Sequence, residues 1–264
     1  MTAAMAANVT LVSTWFSPWS ERVKWVLDHH GIACERIEHV PVIGEGKLRR
    51  LAGKPPGRVT VPLLLDGGTI LRESWDIAKW ADARGTGARL IPPDREEEVR
   101  RWVKLADEMS DAGRGLVTAT IANSPKALDE ALPPAFPSWL RPLLRPIGRM
   151  AMGRFRRKYA VANEDEASRL SRMRAGLDAL RAGLPSKADA PYLLGAFSYA
   201  DIAMATMIQG VLPVDDRYIP LGPGTRAAWT REDLARDYPD LIQWRDGIYA
   251  RHRAGPSTKV RQSS

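Results

Sequence analysis

Cysteine is nearly absent: Cys34 is the sole thiol in 264 residues, which excludes an internal disulfide framework and a CxxC dithiol centre. A reducing cytoplasm is the compartment this predicts. Long apolar runs are absent as well, none approaching the roughly 18 residues that suggest a membrane span. The opening residues, MTAAMAANVT, carry neither the basic nor the apolar stretch of a signal peptide. Acidic side chains are missing from one long segment. Between Ala131 and Asn163 there are seven basic residues (Arg141, Arg145, Arg149, Arg154, Arg156, Arg157 and Lys158) and no Asp or Glu. That segment therefore carries +7 of the net +8, and the rest of the chain is close to neutral. A nucleic-acid binder spreads basic charge along a recognition surface with matching motifs. None is present, so nucleic acid is not an expected partner.

What is present suits one large domain or two small ones, at 29.2 kDa. Asn8–Ser13 alternates as a strand does. Ser17 has the features of an N-cap and Pro18 takes the first helical position. Trp19, Val23, Val26, Leu27 and His30 recur at helical spacing until Gly31, where a left-handed residue is wanted. Ala33–Glu38 predicts a second strand, and strand–helix–strand implies a parallel pair with a right-handed crossover. Gly44–Ala52 predicts a short helix before the turn-rich KPPGR. VTVPLLLDGGTIL has the grammar of a β-hairpin turning at Asp66-Gly67-Gly68. Pro62 inside its apolar run removes a ladder donor, so either the strand is an edge or the Val61–Pro62 bond is cis.

Ser74 is expected to cap a helix over Trp75–Arg84, with Ile77 and Trp80 or Ala81 facing inward. Asp94 is expected to cap a long helix from Arg95 to about Ala122, its first-turn acids at 96–98 favoured by the macrodipole. The proline-rich stretch 133–146 interrupts the pattern. Helices resume around Glu164–Leu184, Ser198–Leu212 and Arg231–Arg251. A small mixed ββαβ-type domain followed by an all-helical one is the predicted architecture.

Three stretches, FSPWSERVKWVLDHHGI, VPLLLDGGTILRESWDIAKW and YLLGAFSYADIAMA, resemble in order and spacing the soluble glutathione transferases. The resemblance spans nearly the whole chain except 131–163. It implies an α/β thioredoxin-like N-terminal domain (1–84), a linker (85–93) and an all-α helical domain (94–264) with the basic segment as an insertion. It also implies glutathione as co-substrate, no metal, a homodimer and a detoxifying transferase.

The family's motifs map onto residues here. The proline matching Pro62 is cis, and the backbone of its predecessor, Val61, pairs with the cysteinyl backbone of glutathione like an added strand. Glu73-Ser74 matches the acidic-Ser pair that holds the γ-glutamyl end: Ser74 and its helix start suit a carboxylate, Glu73 the ammonium. Taken alone, the pair also reads as a plain helix cap. Arg58, Lys54 and Lys47 are the basic candidates for the glycyl carboxylate. Ser198-Tyr199-Ala200-Asp201 resembles the family's structural capping box.

Glutathione's thiol, with a free-cysteine pKa of about 8.5, is mostly protonated at neutral pH. A hydroxyl donating to sulfur at the positive end of a helix favours the thiolate without itself becoming charged. Ser17 matches the family position for this role; Ser20, one turn on, is the alternative, and a purely capping Ser17 is the third. Serine at position 17 argues against disulfide exchange, since it forms no mixed disulfide. Cys34 reads as a small buried hydrophobe. Trp15 and Trp19 beside the serine, and the stripe Trp102, Ala106, Met109 and Gly113, are candidates to line an apolar electrophile pocket, although such a stripe also describes plain core.

In SWLRPLLRPIGRMAMGRFRRKY, Arg141, Arg145 and Arg149 stand at four-residue spacing with apolar residues mostly on the other side. Pro146 inside the pattern predicts two short pieces. Such a segment packs as an ordinary insertion, covers the cleft and attracts anions, or touches a membrane through 139–158. Three functions fit: glutathione transfer to an apolar electrophile; a glutathione-dependent lyase, isomerase or dehalogenase; and a non-catalytic protein that kept the fold.

Overall fold

The computed structural model describes residues 9–132, 137, 139–159, 164–185 and 191–253. Asn8, most of the 131–137 proline cluster and the end of the basic insertion at 160–163 lie outside the described residues. Strand β1 (Val9–Ser13) is followed by helix α1 (Pro18–His29), and β2 (Glu35–Glu38) then pairs parallel to β1 with Thr10 opposite Glu35. Helix α2 (Glu45–Leu51) precedes the hairpin of β3 (Leu63–Asp66) and β4 (Thr69–Leu71). β3 runs antiparallel to β1 with Leu63 opposite Val12, giving the strand order β2-β1-β3-β4. Alternate residues face opposite sides. Leu11 and Leu64 join the core under α1 and helix α3 (Ser74–Arg84), while Val12 and Leu63 pack with Leu48 and Ala52 from and beside α2.

β3 is interior, which disposes of the edge-strand reading of Pro62: the Val61–Pro62 peptide is cis and Pro62 precedes the first paired residue. Ile77, Trp80 and Ala81 are all buried. Ser74 is not the cap of α3. Glu73, with extended backbone (φ −112°, ψ 137°), occupies that position and Ser74 is the first helical residue. Asp94 is displaced in the same way. Proline suits the first position of a helical turn, so a 3₁₀ turn opens at Pro93 (Pro93–Arg95) and takes in Asp94 before α4 (Glu96–Asn123) begins.

The helical part continues with α5 (Pro125–Ala131), α6 (Arg141–Lys158), α7 (Glu166–Gly183), α8 (Tyr199–Met207), α9 (Pro223–Trp229), α10 (Glu232–Asp237) and α11 (Pro239–His252). α5 and α9 lie outside the predicted elements. Both open on a proline, a start signal, and are too short to show a period. The predicted helix over 231–251 breaks at Tyr238 (φ −129°, ψ 47°), because Pro239 disfavours helical backbone in the residue before it. α6 is one helix, not two pieces. Pro146 costs it a single internal bond, to Pro142, and both prolines are exposed, where water can take the freed carbonyl.

α8 is buried along its whole length and packs on α4. Its capping box forms: the Ser198 N–H donates to Asp201 Oδ2 at 2.8 Å and its hydroxyl at 2.9 Å, while the Leu193 N–H reaches Oδ1 at 2.9 Å. One apolar core joins Leu11, Trp25 and Ile77 of the sheet half to Ala106, Met204 and Tyr249 of the helical half. Polar contacts follow the same path. Arg22 is fully buried in α1 and bonds Asp107 (2.5 Å), Thr206 (3.1 Å) and Ser110 (3.3 Å). Arg253 bridges Glu21 and Asp28, each at 2.7 Å, and the Trp25 indole N–H donates to the His252 carbonyl at 3.0 Å.

Residues 85–93 are pinned between the halves. The Leu90 and Ile91 N–H groups donate to Asp82 at 3.0 and 2.7 Å, and the Leu90 carbonyl accepts the Tyr199 N–H at 2.8 Å. A Cβ on Gly87 would stand 2.5 Å from the His29 carbonyl oxygen. Backbone cannot swing aside as a side chain does, so Gly87→Ala is expected to cost about 1–3 kcal/mol. Thermal unfolding checks this; a midpoint equal to the parent protein's means the segment is not tightly held.

Candidate functional site

Strand directions bring four segments to one end of the sheet. β1, β2 and β4 run toward that end and β3 away from it, so residues 14–17, His39-Val40, 60–62 and 72–74 all lie there. Helices α1 and α3 both begin at this end, presenting unpaired N–H groups and positive dipole ends.

Ser17 caps α1. Its Oγ accepts the Ser20 N–H at 3.4 Å, a long bond, and its carbonyl accepts the Glu21 N–H at 2.9 Å. The side chain is half-buried, and among the described residues nothing accepts its hydroxyl proton. Ser20 differs. It is fully buried, and its Oγ accepts the Thr14 N–H at 3.1 Å, fixing the turn from below. Trp15 is exposed, with its N–H on Glu38 Oε1 at 2.8 Å.

Val61 is half-buried, and no hydrogen bond among the described residues uses its N–H or carbonyl. Ser74 is buried and its carbonyl accepts the Tyr199 hydroxyl at 3.2 Å. Glu73 stands at the helix start with its carboxyl held above the usual range, first by desolvation and then by the nearby Asp76 and Asp107 carboxylates; Arg58 opposes this. These acids and Arg100, Arg101 and Lys104 line an open groove of about 520 Å³ between α3 and α4. Arg58 donates to the Lys158 carbonyl at 2.9 Å and lies 5.1 Å from the Tyr159 ring centre. Lys54 is exposed at a turn with φ +54°, and Lys47 lines a small cleft of about 150 Å³ with His39 and Ile43. Cys34 is half-buried, and burial pushes its thiol pKa up.

The stripe on α4 is taken up by packing among the described residues. Ala106 and Met109 are buried, Met109 against Gly176; the Trp102 ring packs on Gly183, and Gly113 meets Gly210 and Met173. Helical spacing marks a face without saying what it faces, and this one packs on α7 and α8. The α4 residues turned toward α1 are Asp107, Ser110 and Arg114. Asp107 Oδ1 accepts the Trp19 indole N–H at 2.8 Å, and the Arg114 guanidinium lies 4.4 Å from the Trp19 ring centre and 4.3 Å from that of Tyr159. Their three- and four-residue spacing is in the sequence, but a polar stripe reads there as a solvated face. Lys158 Nζ donates to Glu45 Oε2 at 2.6 Å, so the end of α6 closes one side of the region between α2 and α4. Among the described residues, no group of three or more His, Cys, Asp or Glu is placed to hold a metal ion.

Two family models match the chain: the glutathione S-transferase N-terminal domain over residues 11–89 and the glutathione S-transferase C-terminal domain over residues 154–247. Together they span more than half of it. A probable glutathione S-transferase of Nicotiana tabacum is 32% identical over 104 residues, 39% of this chain and 45% of that protein. Protein IN2-1 homolog A of Oryza sativa subsp. japonica is 24% identical over 197 residues, 75% of this chain and 63% of that protein. The chain thus spans less than two thirds of the length of these relatives. Among solved structures, a glutathione S-transferase from Methylobacillus flagellatus with glutathione bound superposes with a TM-score of 0.55 at 21% identity, covering 92% of this chain and 95% of that one. The beta-etherase LigF from Sphingobium sp. strain SYK-6 gives 0.59 at 19% identity, covering 92% and 96%. At these identities the likeness is one of fold.

Proposed function

Because the chain belongs to the glutathione S-transferase superfamily, we propose that it binds glutathione where α1 and α3 begin and transfers it, as a thiolate held by Ser17, to an apolar electrophile. One observation carries this: the Ser17 hydroxyl at a helix start, the unpaired Val61 backbone and the crowded Glu73 carboxylate share one end of the sheet. The Val61 N–H and carbonyl pair with the cysteinyl backbone as an added strand. Ser74 and the free N–H groups of α3 take the γ-glutamyl carboxylate. Glu73 takes the ammonium, whose positive charge relieves the acidic crowding. Arg58 is assigned the glycyl carboxylate, with Lys54 and Lys47 as alternatives.

The thiol proton leaves to solvent and the Ser17 O–H donates to the sulfur anion. The sulfur lone pair then forms the S–C bond, while a displaced group departs with its electron pair or an addition product takes up a proton. Trp15 and Trp19 border the place the electrophile enters. The same reading includes a cytoplasmic homodimer with a detoxifying role. Calorimetric titration with glutathione, followed by turnover of a chloroarene, tests it. Binding without turnover moves the protein to the non-catalytic class, and absence of binding overturns the proposal.

Glu73 adds a pH signature. Its ammonium contact requires the ionised carboxylate, and its pKa is raised, so glutathione affinity falls on acidification earlier than for an ordinary carboxylate. Glu73→Gln is expected to weaken glutathione about ten- to hundred-fold, from the ~1.5–3 kcal/mol of a charged hydrogen bond. It should also flatten the affinity difference between about pH 5 and about pH 7.5. Equal slopes for the two proteins would mean that Glu73 does not hold the ammonium.

A further inference from the structure

α6 shows solvent a face that no described residue covers. Trp139, just before the helix, and Leu143, Ile147 and Met150 follow one another at helical spacing and are 71, 69, 55 and 60% exposed. Pro142 and Pro146 beside them are exposed as well. This is not the face by which α6 packs. On its other side Arg145 makes a two-pronged pair with Asp129 at 2.8 and 2.6 Å, Arg141 donates to the Asp129 carbonyl at 3.2 Å, and Gly148 closes on Leu128. Lys158 and Tyr159 tie the far end to Glu45, Arg58 and Arg114. The helix is thus held from one side with its apolar stripe turned outward.

Charge says what such a stripe meets. Arg149, Arg154 and Arg157 are exposed on the same helix, Arg154 and Arg157 at the angle of the stripe and Arg149 on its flank, and among the described residues none has an acidic partner. No Asp or Glu occurs from Ala131 to Asn163. A two-fold contact of this face with its own copy would bring two such segments together and repel, whichever other surface a homodimer uses. An anionic lipid surface satisfies both parts: acyl chains accept the stripe, phosphates accept the guanidinium groups, and an indole at one end suits the headgroup boundary. At 18 residues α6 is about 27 Å long, and it is not apolar enough to cross a bilayer.

We propose that α6 lies in the plane of an anionic membrane surface, with Trp139, Leu143, Ile147 and Met150 at the acyl-chain boundary and Arg149, Arg154 and Arg157 at the phosphates. This docking is independent of glutathione binding. It is tested by sedimenting the full chain with vesicles of phosphatidylcholine alone or with about one third phosphatidylserine. Partition to the anionic vesicles is expected to be at least about ten-fold stronger and to weaken as salt rises. Arg149→Glu, Arg154→Glu and Arg157→Glu together should reduce it about a hundred-fold or more, since each lost cation alone removes about five-fold. Leu143→Ser with Ile147→Ser should reduce it about ten-fold or more through lost apolar burial. All variants should keep the parent's far-ultraviolet dichroism and thermal midpoint. Absence of partition to anionic vesicles overturns the proposal, as does equal partition to neutral ones. So does concentration-dependent self-association that Leu143→Ser abolishes, which would make a second copy the occupant.

Discussion

Ser17→Ala is expected to lower kcat/KM for conjugation about ten- to hundred-fold while leaving glutathione affinity within a few-fold. Holding a thiol about 2 pH units below its ordinary value takes about 2.7 kcal/mol of preference for the thiolate. A charge-assisted hydrogen bond supplies ~1.5–3 kcal/mol and a helix start ~0.3–1. The alanine variant keeps the helix start and loses the bond, so the thiolate absorbance of bound glutathione should titrate about 1–2 pH units higher. The cap is lost too, but its bond is long at 3.4 Å, which puts the stability cost toward the low end of the ~0.5–2 kcal/mol range. Ser17→Thr keeps a hydroxyl and should keep most of the activity. Ser20→Ala should behave in the opposite way: it strands the buried Thr14 N–H and costs stability of about 1–3 kcal/mol, with the thiol titration unmoved. If the titration moves with Ser20 and not with Ser17, the assignment passes to the buried serine.

Asp201→Ala is expected to be the most destabilising single change. The carboxylate is fully buried and accepts from the Leu193 N–H, the Ser198 N–H and the Ser198 hydroxyl. Alanine leaves two backbone donors without partners at about 1–3 kcal/mol each and removes a helix cap. A loss of about 3–5 kcal/mol is a large part of the ~5–15 that holds a typical domain together. Denaturant unfolding measures it, and a loss under about 1 kcal/mol would mean that α8 needs no such cap. Burial raises the Asp201 pKa to about 6. An unfolded aspartate loses its proton near pH ~3.9, so between about 4 and 6 the folded chain holds a proton that the unfolded chain has released. The stability due to this group is therefore full below the window, declines as pH rises through it, and is level above. Asp201→Asn should remove that slope.

The strand–helix–strand opening, the hairpin and the α8 capping box were legible because each is local: a cap, a period of two or a turn residue announces it within a few positions, whereas Pro62 announced a break and left an edge strand or a cis bond open. What packs against what was not. Trp102, Ala106 and Met109 carry the right spacing for a pocket wall and the same spacing for core, and only the placement of α7 and α8 decides. Nothing local in the sequence marks Arg22 as buried. Its burial depends on Asp107, Ser110 and Thr206, which are distant in the chain. Pro239 did carry its signal, but the apolar period runs on across it. Ser17, Val61 and Glu73 are matched by motif; that they share a sheet end follows from strand direction.

The grip of Arg253 on Glu21 and Asp28 bears on how this protein can be cut. Severing the chain after residue 84 would strand Glu21 and Arg22 as lone ions in what had been interior and uncover Trp25. The sheet half is therefore no portable module, and trimming the tail by even a dozen residues from Arg253 back would slacken the helix that Ser17 caps.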